Sequence, residues 1–216
     1  MICRQYAYQA ARTLFSCCSF IILLTFALLI FAMDTEAGTT FPHYPSIKQN
    51  VRFWGEVYSS YSLNEAVIHD SDDLSIVYEI IPLLDNAIPG AQNLNSSAEK
   101  RARKKYSSVL KKLSKNKPAN SEEKKIAALF AGANAKKKMA AAAGKVRSQR
   151  GVRERFSQGV IRSGAYLSEM RKIFRSYGLP DDLVYLPHVE SSFDTNAYSK
   201  FGASGIWQIT RSTGKQ

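Results

Sequence analysis

Glu190 is the residue of this chain best placed for acid–base chemistry. From Leu186 to Gln216 the sequence reads LPHVESSFDTNAYSKFGASGIWQITRSTGKQ, which sets one carboxylate at a helix end beside small and aromatic residues. Leu179-Pro180-Asp181-Asp182 opens a helix, with two acids in the first turn where the positive helix N-terminus favours them. Glu190 then lies about three turns along. Pro187 lacks an N–H and crowds the preceding turn, which predicts a kink that aims the Glu190 carboxylate off the regular surface. Phe193, Tyr198, Phe201, Ile206 and Trp207 follow, interrupted by Gly202, Ala203, Ser204 and Gly205, so bulky walls alternate with tight backbone as a cleft requires. A carboxylic acid walled by apolar groups has a raised pKa and stays protonated near neutrality. Protonating a glycosidic leaving oxygen demands that state, so Glu190 is assigned as a general acid. A lone helical glutamate is ordinarily a solvated surface residue, and the assignment rests on this context.

Other chemistries lack their residues. His43, His69 and His188 are scattered, with no H-E-x-x-H or Cys/His cluster, so neither a metal nor a cofactor is implied. Asp70, Asp72 and Asp73 lack the central Gly and terminal Glu of a calcium loop and read as a turn between strands. Ser191 and Ser192 stand outside any G-x-S-x-G elbow, which leaves a serine-hydrolase mechanism unsupported.

The elements that must hold Glu190 are mainly helical. A helix is expected near Ile47 to Tyr61, carrying Phe53, Trp54 and Val57, then a hairpin of Val67–His69 and Leu74–Ile81 around the aspartate turn. One long amphipathic helix is expected from Arg153 to Tyr177, with Phe156, Val160, Tyr166, Met170, Ile173 and Phe174 on one face and Gly178 ending it. Between them the Lys/Arg/Ala-rich runs read as solvated helices joined near Pro118 and Gly144. The expected divisions are 1–37 export segment, 38–98 helix plus hairpin, 99–150 basic helical segment and 151–216 the region of Glu190. No internal repeat is present.

The motifs E-S-S-F at Glu190, A-Y-S at Ala197, G-A-S-G-I-W-Q from Gly202 to Gln208 and S-T-G at Ser212 resemble the soluble-lytic-transglycosylase domain. Val51-Arg52-Phe53-Trp54 through Ser75-Ile76-Val77-Tyr78-Glu79, and Arg150-Gly151-Val152 to Pro180, resemble the membrane-bound lytic murein transglycosylases of type D. The resemblance implies a lysozyme-like domain that cleaves peptidoglycan between N-acetylmuramic acid and N-acetylglucosamine and leaves a 1,6-anhydromuramoyl end. Glu190 would serve as both acid and base. By position in the motif, Ser199 and Gln208 would hydrogen-bond sugar, and Gly202, Ala203 and Gly205 would shape the loop that admits substrate. Ser199 and Gln208 also suit turn capping, and Trp207 suits core packing better than a sugar platform. The family domain continues for several helices beyond S-T-G, so a C-terminally truncated domain is expected here.

Composition sets the surroundings. The 216 residues, 45% hydrophobic, suffice for a folded core. Leu14 to Met33 carries no charge, follows Arg4 and Arg12 and precedes Asp34 and Glu36, the polarity of an export signal. Such a run also reaches across a bilayer of about 30 Å, so a cleaved signal and a retained anchor at 14–33 are both compatible. Either places the rest of the chain in the periplasm or cell envelope, with association to inner or outer membrane open. Cys3, Cys17 and Cys18 all fall in this segment, which leaves the remainder without a disulfide. Lys100 to Arg155 holds 19 basic and 3 acidic residues, a net +16 against +12 for the whole chain. That stretch reads as a solvated face or as an attachment to anionic envelope polymers and lipid headgroups. Nucleic acid is not expected as a partner, since export would separate the two. Three readings remain beside a transglycosylase acting on peptidoglycan glycan strands. They are a hydrolase sharing Glu190, a non-catalytic murein-binding remnant, and a basic nucleic-acid or membrane-surface protein.

Overall fold

The computed structural model describes residues 41–42 and 44–215. The expected export segment at 1–37, its apolar run 14–33, the three cysteines and His43 lie outside the described residues. Among the described residues no helix is long and apolar enough to cross a membrane.

Three antiparallel strands, β1 (Glu65–Asp70), β2 (Val77–Pro82) and β3 (Val146–Arg150), form a sheet in the order β2-β1-β3. The β1–β2 hairpin matches the sequence expectation. Its turn is held by Asp70, whose Oδ1 accepts the N–H groups of Asp72 and Asp73 at 2.8 and 3.0 Å, and by Asp73, which accepts the Ser75 N–H. Strand β3 corrects the expectation of helix throughout 99–150. The second edge of β1 needs partners for its backbone groups, and Val146–Arg150 supplies them from Ala66↔Arg150 to Asp70↔Val146.

β1 is buried almost throughout because both faces of the sheet are covered. Successive side chains point to opposite faces. On one face Val67 packs with Phe53 and Val57 of α1 (Lys48–Ser59). On the other, Ile68, Ile76 and Tyr78 meet Ala102, Tyr106, Leu110 and Leu113 of α2 (Ala91–Leu113). Ile126 of α3 (Ser121–Ala128) and Met139 and Ala142 of α4 (Ala135–Ala142) close that core. The basic segment is therefore solvated on one side only, because its apolar residues form most of the main core. The boundary expected at 98/99 falls inside α2, which crosses it without interruption.

The expected single helix over 153–177 is two, α5 (Arg153–Ser163) and α6 (Leu167–Ser176). Ser163 Oγ donates back to the Val160 carbonyl at 2.8 Å, and Gly164 follows, which together end the first helix. Gly178, at φ +66°, terminates the second as expected.

Candidate active site

Glu190 is the last residue of α7 (Leu186–Glu190), a five-residue helix that follows a 3₁₀ turn at Asp181–Tyr185. Pro187 sits in the first turn of α7, where the missing N–H costs nothing, so it starts a new helix instead of kinking a long one. The Ser191 and Phe193 N–H groups both donate to the Pro187 carbonyl, at 3.1 and 3.2 Å. Ser192 and Phe193 then take left-handed φ values of 53° and 56°, which reverse the chain directly after Glu190.

Three contacts hold that reversal. Phe193 is fully buried, 4.6 Å edge-on from His188 and 6.2 Å from Tyr166. Arg162 of α5 donates twice to the Ser192 carbonyl, at 3.0 and 2.7 Å. Gly159 lies so close that an added Cβ would meet Ser192 at 3.0 Å. Ser191 Oγ donates to the Ile206 carbonyl at 2.8 Å and so ties Glu190 to the glycine-containing loop.

In that loop Ser199 Oγ accepts the N–H groups of Phe201 and Ala203, and Gln208 Nε2 donates to the Ala197 and Gly205 carbonyls at 3.2 and 3.0 Å. Both side chains hold backbone, and both also line a cleft of about 720 Å³ with Glu190. Gly202 and Gly205, at φ +80° and +72°, turn the loop, and Ala203 is buried within it. None of those three is among the cleft-lining residues.

The apolar enclosure expected around Glu190 is not built among the described residues. The carboxylate residue is exposed, Phe193 is turned into the core, and Tyr198 and Phe201 are 77% and 91% exposed. Trp207 is half-buried and stacks on Phe174 at 5.7 Å.

The other wall of the cleft comes from residues that the sequence analysis did not assign to a site. Trp54 and Tyr58 of α1, Gln149 of β3, and Glu154, Gln158 and Arg162 of α5 all line it. The signal available in sequence was the pairing of Trp54 and Tyr58 four residues apart on one helix, a spacing that gives one face. Burial, and then the charge of Glu190, push the Tyr58 hydroxyl above its ordinary range. Glu154 is held down to about 2, first by the Leu63 N–H at 2.9 Å, with Arg153 also donating to it. His188 is buried with Nδ1 lacking a hydrogen-bond partner among the described residues, and burial lowers its pKa. No three His, Cys, Asp or Glu gather as a metal-ligand set among the described residues.

A carboxylate on a helix terminus, braced by a left-handed reversal and lining a cleft with hydrogen-bonding and aromatic walls, is placed to give or take a proton at a ligand bound there. Comparison with known proteins points the same way. Residues 170–216 match the transglycosylase SLT domain. The chain is also 42% identical over 55 residues to the membrane-bound lytic murein transglycosylase D of Escherichia coli strain K12, and equally to that of strain O6:H1. The aligned stretch is 26% of this chain and spans 12% of the length of those relatives. No solved structure gives a significant match. The mainly helical architecture with its small sheet accords with the SLT match, whose segment contains α7, the Ser192–Phe193 reversal and the Gly202–Gln208 loop.

Proposed function

We propose that this chain acts on peptidoglycan in the cell envelope as a lytic transglycosylase, with Glu190 as its acid and base. The observation that carries the reading is the position of Glu190. It ends α7 within the SLT-matched segment and lines a cleft of about 720 Å³.

In the proposed reaction Glu190 enters protonated and donates its proton to the glycosidic oxygen as the bond to the muramoyl anomeric carbon breaks. The substrate's own acetamido oxygen supports the anomeric carbon. The Glu190 carboxylate then removes the proton of the muramoyl C6 hydroxyl, whose oxygen closes the 1,6-anhydro ring. The acid form is thereby regenerated, and neither water nor a second carboxylate enters the product. Ser199 and Gln208 border the strand, Gln208 offering its Oε1 while Nε2 braces the loop.

The exposure of Glu190 favours one second reading, a murein-binding protein that holds glycan without cleaving it, since the apolar walls expected around an acid catalyst are not built around it. Incubating the full chain and Glu190→Gln with purified murein sacculi and weighing the products by mass spectrometry tests both. Anhydromuropeptides from the native chain and none from the variant are the expected result. Reducing-end products would make it a hydrolase, and binding without release would leave the binding role.

A further inference from the structure

We propose that Trp54 and Tyr58, on a helix outside the SLT-matched segment, form a stacking subsite for the pyranose rings of a glycan strand in the Glu190 cleft. The inference rests on the glycan reading of that cleft. Both side chains line it together with Glu190, Ser199 and Gln208.

The two flanking apolar residues of α1 go to the core, Phe53 at 3% exposure and Val57 at 1%, whereas Trp54 is left 41% exposed in the cleft. An indole withheld from an available core presents a large flat apolar face beside a polar edge. A pyranose ring offers the complement, a face of C–H groups with hydroxyls around its rim.

The platform is stepped. Trp54 and Tyr58 are 6.4 Å apart with their planes tilted by 40°, and Phe53 backs Trp54 edge-on at 5.5 Å. From Tyr58 the aromatic row continues to Phe156 at 5.5 Å and on to His188 at 5.3 Å, two residues before Glu190. A sugar resting on α1 would therefore lie at one end of an aromatic row whose other end adjoins the acid. Gln158 lines the same cleft and supplies an amide for sugar hydroxyls, the mix of flat apolar and sparse polar groups that saccharide sites use.

The test uses the intact full chain, Trp54→Phe, Trp54→Ala and Tyr58→Ala. N-acetylchitotetraose is the soluble probe, co-sedimentation with murein sacculi is the independent measure of glycan binding, and far-UV circular dichroism checks folding. The chain has two tryptophans, so the emission change lost in Trp54→Phe belongs to Trp54. The expected result is a saturable change in Trp54 emission on adding the tetrasaccharide. Removing either ring as alanine should weaken binding about three- to tenfold, while Trp54→Phe keeps binding within about twofold.

Sacculus binding by the intact chain with an unmoved Trp54 signal and unchanged affinity in both alanine variants would overturn the subsite and leave the glycan reading standing. Absence of any glycan binding by the folded intact chain would remove the glycan reading and the subsite with it. Should an alanine variant fail to fold, the emission difference between the intact chain and Trp54→Phe decides the question.

Discussion

Gly151 occupies a place where no side chain fits, since a Cβ there would lie 2.2 Å from the Tyr61 carbonyl oxygen and 2.4 Å from that of Ser62. Its N–H donates to the Glu65 carbonyl, so the backbone cannot move away without breaking the junction between β3 and α5. Gly151→Ala is expected to cost about 2–4 kcal/mol, read as a lowered midpoint in urea unfolding. Two titrating residues beside the cleft make the fold acid-sensitive. Glu154, held at about 2 against an ordinary 4.5, binds fewer protons folded than unfolded in that interval. Its contribution is therefore complete above about pH 4.5 and lost as pH falls toward 2, and Glu154→Gln should flatten that part of the stability profile. His188 has a folded pKa below its ordinary 6.5, so the unfolded chain takes up the proton first as pH falls through 6.5. His188→Phe, which also removes the unpartnered Nδ1, is expected to reduce the loss of thermal midpoint as pH falls just below 6.5. Of the candidate site residues, Glu190 stands out in the sequence because a dense motif surrounds it. The backbone roles of Ser199 and Gln208 required the loop itself, where their partners are carbonyls and amides up to eleven residues away.

Elements were legible where one period dominated the sequence. Helix α1, the hairpin and the Gly178 stop follow from spacing alone, and all three are present. Strand β3 was hidden inside a lysine- and alanine-rich stretch, since V-R-S-Q-R carries a single strongly apolar residue and becomes a strand only because β1 offers an open edge. The break between α5 and α6 was hidden too, because Ser163-Gly164 is compatible with a continuing helix until the serine bonds back to its own turn. A polar anchor fixes α2 against the sheet region. Buried Asn95 accepts the Leu84 N–H and donates to the Leu84 carbonyl, both at 2.8 Å. Asn95→Ala strands both backbone groups and is expected to destabilise the fold by about 2–4 kcal/mol in the same urea measurement.

Among the described residues, some cations of the basic segment are paired with acids and others are not. Lys105, Lys112, Lys145 and Arg150 pair with Glu122, Glu123, Asp72 and Glu99. By contrast Lys100, Arg103, Lys104 and Lys111 of α2 line one groove with Arg147, and no acidic residue borders it. Unneutralised cations on one side attract carboxylate-bearing polymers over a Debye length. Replacing Lys104 and Lys111 by Gln is expected to lower adsorption to sacculi about two- to fivefold at low salt and to leave it nearly unchanged at high salt, measured by sedimentation. The sequence by itself determined the mainly helical class, the surplus of positive charge and the motif that contains Glu190, because these depend on composition, local period and a short run of residues. Only the tertiary structure decided that the basic segment supplies most of the main core, that Glu190 is exposed, and that α1, over 130 residues upstream, walls its cleft. Such placements arise from burying apolar faces against one another, and the residues that meet are chosen by packing across the chain, which no local pattern encodes.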